Sequence, residues 1–197
     1  MGRQSNVRII GGRWRGRKLV FTSAEGLRPT GDRIRETLFN WLTTHIEGAR
    51  CLDLFAGSGA LGLEALSRGA SYCDFVDSSR AALQQVRQHL QTLDTLDKGS
   101  CHLSSALEFL QTATAPYDIV FIDPPFKLQL VSQVVAALSQ RQLLGENALV
   151  YVETASSDPM PAVPEEWKLH RDKVSGAVSY RLFVINQASR STMAVPQ

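Results

Sequence analysis

Short apolar runs alternate with amphipathic stretches through the middle of this chain. Arg50–Phe55, Tyr72–Val76, Tyr117–Ile122 and Asn147–Val152 are dominated by apolar residues, many of them β-branched or aromatic, and Ser100–Ser104 is a more polar stretch that falls in the same rhythm and is expected to be a strand too. Runs of this length and kind read as strands buried on both faces of a parallel sheet. Helical spacing fills the gaps: Ala60 to about Arg68, Ser79 to about Leu93, Ala106 to about Thr112, and about Leu128 to Ser139. In the second of these, Leu83, Val86, Leu90 and Leu93 fall on one face. Five β-α alternations predict an α/β fold, a doubly wound, mostly parallel Rossmann-like sheet. The last third differs. Leu169–Lys173 and Ala177–Ile185, joined at Val174-Ser175-Gly176, read as an antiparallel hairpin at the sheet edge, after a loop containing Pro159, Pro161 and Pro164.

Ahead of the sheet, Val7–Ile10, the pair Gly11-Gly12 and Arg15–Val20 predict a β-hairpin. A helix is expected from about Asp32 to His45, capped by Thr30 or Asp32, with Ile34, Leu38 and Leu42 on its apolar side and Phe39 and Trp41 offset. The expected organisation is an arm over residues 1–30, a sheet domain over 31–186 and a polar, disordered tail over 187–197.

Composition adds limits. With 44% hydrophobic and 20% charged residues the chain is ordinary for a globular protein. Its longest apolar runs, such as Ala148–Val152, fall far short of the roughly 18 residues of a membrane helix. Met1 to Asn6 contains no apolar leader segment, so a cytoplasmic location is expected. Cys51, Cys73 and Cys101 show no CxxC spacing and read as small buried side chains. The four histidines show no ligand spacing, and no metal is expected.

The formal net charge of +2 hides a division. Residues 1–35 carry nine Arg or Lys against two acids, and the rest carries twelve against seventeen. A basic arm on a mildly acidic body points to a polyanion. Arg8, Arg13, Arg15, Arg17 and Lys18 flank the hairpin turn with Trp14 among them, and Arg28 closes the arm. Guanidinium on phosphate and ring on base is the chemistry of RNA contact. The plainer alternative is a solvated edge hairpin. Arg33 and Arg35 stand near a helix start, where the dipole disfavours cations. They either serve an anion or pair with Asp32 and Glu36, and spacing leaves both open.

Two stretches carry chemistry, each at the carboxyl end of an expected strand, where open α/β sheets bind ligands. The first is Asp53-Leu54-Phe55-Ala56-Gly57-Ser58-Gly59. Gly57 to Gly62 fits G-x-G-x-x-G, and Asp77 lies twenty residues beyond Gly57. That is the generic dinucleotide pattern. Asp53 argues against a dinucleotide, because its carboxylate would repel a pyrophosphate at the following helix. A ligand with an ammonium group and no phosphate suits it, and S-adenosylmethionine is one. Asp77 with Ser78 suits the ribose, and Ser105 and Ala106 could frame the adenine. The other reading of Asp53 and Asp77 is helix capping and turn formation.

The second stretch is Asp123-Pro124-Pro125-Phe126. The exocyclic amine of a base is a weak nucleophile, its lone pair being delocalised into the ring. A carboxylate from Asp123 and the Pro124 carbonyl, accepting both N–H bonds, would localise that lone pair. The prolines stiffen the corner, and Phe126 offers a face for the base, a contact worth about 1–3 kcal/mol.

The block Leu27–Leu42, the Asp53–Gly62 loop, Asp123–Phe126 and Tyr151-Val152-Glu153 together resemble the RsmD family, over about Val7 to Ile185. These are bacterial methyltransferases of class I fold, with a seven-stranded sheet, that use S-adenosylmethionine to methylate the N2 amine of one guanine in 16S ribosomal RNA. The resemblance implies Asp53, Gly57, Gly59 and Asp77 around the cofactor and Asp123 to Phe126 around the guanine. It also implies RNA contacts from the hairpin, Arg33 and Arg35, and assembled or partly assembled 30S particles as substrate, with neighbouring ribosomal proteins as possible partners. The chain departs from the common pattern at Asp77-Ser78-Ser79, which lacks the charges often found after the acid. Asp-Pro-Pro-Phe alone would also fit methylation of DNA adenine or protein glutamine, against which Leu27–Leu42 argues. Asp53 argues against an NAD-linked oxidoreductase, and Asp123 against a non-catalytic RNA-binding module.

Overall fold

The computed structural model describes residues 3–23, 31–125 and 130–186. Those residues form two sheets. The smaller is the N-terminal hairpin, in which β1 (Arg3–Arg8) pairs antiparallel with β2 (Lys18–Ser23). The connection is longer than Gly11-Gly12 alone. It runs from Ile9 to Arg17 and contains a single 3-10 turn, Gly12–Trp14. Helix α1 (Asp32–Trp41) follows. Its N-cap is Gly31, with Asp32 inside the first turn, and it ends a turn earlier than its sequence suggests. There the Thr43 hydroxyl donates to the Phe39 carbonyl, 3.1 Å away, as the chain turns towards the sheet.

The larger sheet takes β3 (Arg50–Asp53), β4 (Tyr72–Asp77), β5 (Gly99–Leu103), β6 (Tyr117–Ile122), β7 (Leu144–Ala155), β8 (Trp167–Ser175) and β9 (Val178–Ile185). Its order is β5-β4-β3-β6-β7-β9-β8. The first five are parallel to one another, and β9 lies antiparallel between β7 and β8. From β3 the chain steps to β4 and β5 on one side, then returns to β6 and β7 on the other. The order therefore reverses between β3 and β6, which opens a crevice at their carboxyl ends. The crossover helices are α2 (Ala60–Ser67), α3 (Arg80–Thr92), α4 (Ala106–Thr112) and α5 (Val131–Gln140).

Alternation along each strand divides the core in two. In β6, Ile119 and Phe121 face a layer containing Leu38 and Phe39 of α1 and Leu63 of α2. Val120 and Ile122 face Val134 and Leu138 of α5. With both faces covered, the central strands need no polar side, which is why β6 stands out in sequence as an apolar run, whereas β5 at the edge is half-buried and mixed in composition. Strand β7 extends past the expected Asn147–Val152 at both ends. Its polar start, Gly145-Glu146-Asn147, is obscured by a register shift against β6 and a positive φ of 60° at Asn147.

All eight residues of α2 are buried. Gly62 allows this, because a Cβ there would run into the Phe75 ring and lie 2.8 Å from the Cys73 sulfur of β4. Gly62→Ala should therefore destabilise the fold by about 1–3 kcal/mol. The check is a lower urea midpoint at unchanged slope; an unchanged midpoint would mean that α2 has slack against the sheet.

Candidate functional site

Strand β3 ends at Asp53 and β6 ends just before Asp123, on neighbouring strands across the crevice. Asp77 closes β4 on the other side of β3. Asp53 is buried, 2% exposed, and one carboxylate oxygen accepts the Gly62 N–H at 3.0 Å. It thus caps the first turn of α2, where a negative charge is favoured. Burial nevertheless pushes its carboxyl up to about 7, with Asp123 and Asp77 adding to the rise and the Gly62 and Phe55 amides pulling it back. Asp53 thus feels both neighbouring acids, Asp123 from β6 and Asp77 from β4.

The glycine loop is shaped by the same acids. Gly57 and Gly59 hold φ of 50° and 76°, left-handed values that a Cβ disfavours. The Gly57 N–H donates to one Asp77 oxygen at 2.8 Å, and the Ser79 N–H to the other at 2.7 Å. Asp77 therefore ties the glycine loop to the start of α3. The capping role that its sequence allows is present, and each oxygen retains a lone pair for a hydroxyl. The Ser104 N–H donates to the Asp77 carbonyl at 3.2 Å, which brings Ser105 and Ala106 beside it. Ser105 caps α4 through a capping box with Glu108. In the loop, Ala56 is buried, Phe55 and Ser58 are half-buried, and Ser78 is exposed. Asp123 is half-buried, Pro124 buried and Pro125 exposed. Phe126 and Arg28 lie outside the described residues, as does the tail from Gln187. On the neighbouring strand, the Tyr151 hydroxyl donates to buried Glu153 at 2.6 Å.

Two expected RNA contacts are corrected. Arg35 is 1% exposed. It pairs with Asp32 at 2.6 Å, donates to the Arg8 carbonyl at 3.0 Å and lies 3.7 Å from Glu64. Trp14 is 7% exposed and packs in the larger core with Ile9 and Leu19, so its ring offers no face to a base. Both are buried because the hairpin docks on α2. Glu64, itself fully buried, accepts the Ile10 N–H at 2.7 Å, the Gly11 N–H at 2.8 Å and the Arg68 side chain at 2.7 Å. The Ser67 hydroxyl accepts the Trp14 N–H at 3.0 Å and donates to the Gly11 carbonyl at 2.6 Å. Sequence reasoning missed this clamp. The signal was present: a lone acid in the otherwise apolar Ala60–Leu66. Arg8, Arg13, Arg15, Arg17, Lys18 and Arg33 all remain exposed.

Because the Asp53 carboxyl sits above the ordinary carboxylate range in the fold, the unfolded chain ionises it first. Its share of stability is complete below pH about 4 and is lost as pH rises to about 7. Asp53→Asn keeps an acceptor for Gly62 and should flatten that decline. Urea midpoints of both chains from pH about 4.5 to 8 test this, and parallel curves would show that Asp53 ionises normally.

Residues 7–184 match the family model described as conserved hypothetical protein 95. The ribosomal RNA small subunit methyltransferase D of Escherichia coli (strain K12) is 49% identical over 179 residues, 90% of this chain and 89% of that protein. The protein of the same name from Haemophilus influenzae is 47% identical over 183 residues, 91% and 94% of the two chains. The solved structure of Escherichia coli yhhF superposes with a TM-score of 0.85 at 46% identity, covering 92% of this chain and 99% of that one. With nearly its full length matched in this way, the chain belongs to the conserved hypothetical protein 95 family, alongside its ribosomal RNA small subunit methyltransferase D relatives, and is a methyltransferase.

Proposed function

We propose that this chain methylates the N2 amine of one guanine in small-subunit ribosomal RNA, within an assembled or partly assembled 30S particle, using S-adenosylmethionine, and does so in the cytoplasm. No helix among the described residues is long and apolar enough to cross a membrane. The observation that carries the reading is the trio of acids at the β3, β4 and β6 ends. A pyrophosphate would meet three like charges there; a ligand with an ammonium and a sulfonium would relieve them. Asp53 would face the ammonium, Asp77 the ribose, and Ser105 and Ala106 the adenine. When bound, the cofactor supplies an electrophilic methyl group.

The chain's own residues then prepare the amine. Asp123 and the Pro124 carbonyl accept its two hydrogens and turn its lone pair towards the methyl carbon. Orientation of this kind can lower a barrier by up to about 7–11 kcal/mol. The amine would gain its methyl as the sulfonium S–C bond breaks and a neutral thioether leaves, and Asp123 would take the proton the nitrogen then sheds and pass it to water, work typically worth about 10²–10⁴-fold. The guanine must first leave its stack to reach the corner. Exposed Arg13, Arg15, Arg17, Lys18 and Arg33 would hold the phosphates around it.

Asp123→Ala should lower methyl transfer to 30S particles by at least about a hundredfold, while calorimetry shows cofactor binding largely kept. Full transfer by that variant would remove Asp123 from the mechanism. Mapping of N2-methylguanine in particles from cells lacking the gene, before and after treatment with the protein, tests the substrate. Reversing Arg15 and Arg17 to Glu should weaken particle binding and make it less salt-dependent. Unchanged binding would return the hairpin to a solvated edge.

A further inference from the structure

Strand β8 closes the large sheet, and every residue from Lys168 to Val174 is exposed. Pairing with β9 sets Lys168 opposite Val184, Arg171 opposite Leu182 and Lys173 opposite Tyr180. Directly paired residues share a face. Leu182 and Tyr180 belong to the core layer under α1, with Val184 packed against it, and Trp41 of α1 stacks on Tyr180 at 5.5 Å. All three cations therefore stand on the α1 side. The acid between them, Asp172, is paired with Arg181 on the other face, 3.4 Å from its side chain to the carboxylate. The shift that puts Arg171 and Lys173 on the same side as Lys168 is the bulge between Leu169 and Arg171.

The α1 side also carries the docked hairpin with Arg13, Arg15, Arg17 and Lys18, exposed Arg33, and α3 with exposed Arg80 and Arg87 and no acid. The helices of the opposite side, α4 and α5, contain no Lys or Arg. The β8 chain direction matches that of β7, since both run antiparallel to β9, so Lys173 lies towards the sheet end that holds Asp53 and Asp123.

We propose that Lys168, Arg171 and Lys173 of β8 form a second RNA-phosphate contact, extending the track of the hairpin and Arg33 across the same face. The proposal rests on ribosomal RNA being the substrate. Cations on edge strands also deter strand pairing between molecules. That role would be served on either face, whereas here all three cations stand on one, the face that also carries the exposed hairpin cations, Arg33, Arg80 and Arg87, while exposed Arg141 ends α5 on the other. A second copy of the chain fits poorly, because a two-fold contact would set these like charges against each other. Between them, His170 has its imidazole lowered by slight burial and then by neighbouring Arg171.

The test is K168E/R171E/K173E, with K168A/R171A/K173A as the milder variant, in binding to 30S particles at several salt concentrations. The expected result is at least tenfold weaker binding by the reversed variant near 0.1 M salt. The log–log salt slope should fall by about two to three, close to 0.9 per lost phosphate contact. The alanine variant should lie between, with cofactor affinity and urea midpoint unchanged in both. Wild-type affinity and slope in both variants would overturn the proposal, whether or not the variants self-associate. A wild-type protein that methylated no 30S particle would sink the substrate reading and this surface together. Wild-type activity with unaffected variants would sink this surface alone.

Discussion

A helix with every residue out of water can hold a polar side chain only where that side chain meets a partner. Helix α2 is in that position, and it carries Glu64 and Ser67. The Gly62 amide in its first turn meets Asp53, and its C-terminal half grips the hairpin loop. Eight residues of helix span only about 12 Å. The glycine loop and the basic hairpin are therefore two ends of one rigid element. Removing one member of such a buried charged cluster would leave the others without partners, a cost of about 3–5 kcal/mol in comparable cases.

The same constraint explains how a carboxylate such as Asp53 is retained in the interior. One helix amide and the dipole behind it offset part of the lost hydration, and the elevated carboxyl pKa records what they leave uncompensated. Asp77, half-exposed, accepts two backbone N–H groups and fixes the loop geometry instead. Neighbouring acids thus take different tasks according to how far each is from water.

Charge is sorted by face as well as by element. The hairpin, α1 and α3 stand on one side of the sheet with β8's three cations, and α4 and α5 leave the other side without any of their own. The asymmetry visible in the first 35 residues is thus part of a wider one that only the sheet order reveals. Arg35 leaves that surface because Glu64 and Asp32 neutralise it, and Trp14 leaves it because the hairpin's underside needed an apolar plug.

What the sequence determined by itself was local. Parallel strands covered on both faces run mostly apolar, so β3, β4 and β6 were found to within a residue or two; β5, a half-buried edge strand, followed from its place between two helical stretches, and Gly57 and Gly59 marked the loop that the structure shows at left-handed φ. The positions of Asp53, Asp77 and Asp123 at or just past the ends of β3, β4 and β6 were legible because each stands where an apolar run stops. The polar start of β7 escaped, since a bulge breaks the alternation that marks a strand. Which charges reach water was settled only by contacts between residues far apart in the chain, 54 positions from Ile10 to Glu64 and 27 from Arg8 to Arg35. Burial of a charge depends on the partners that meet it, and the fold alone supplies them.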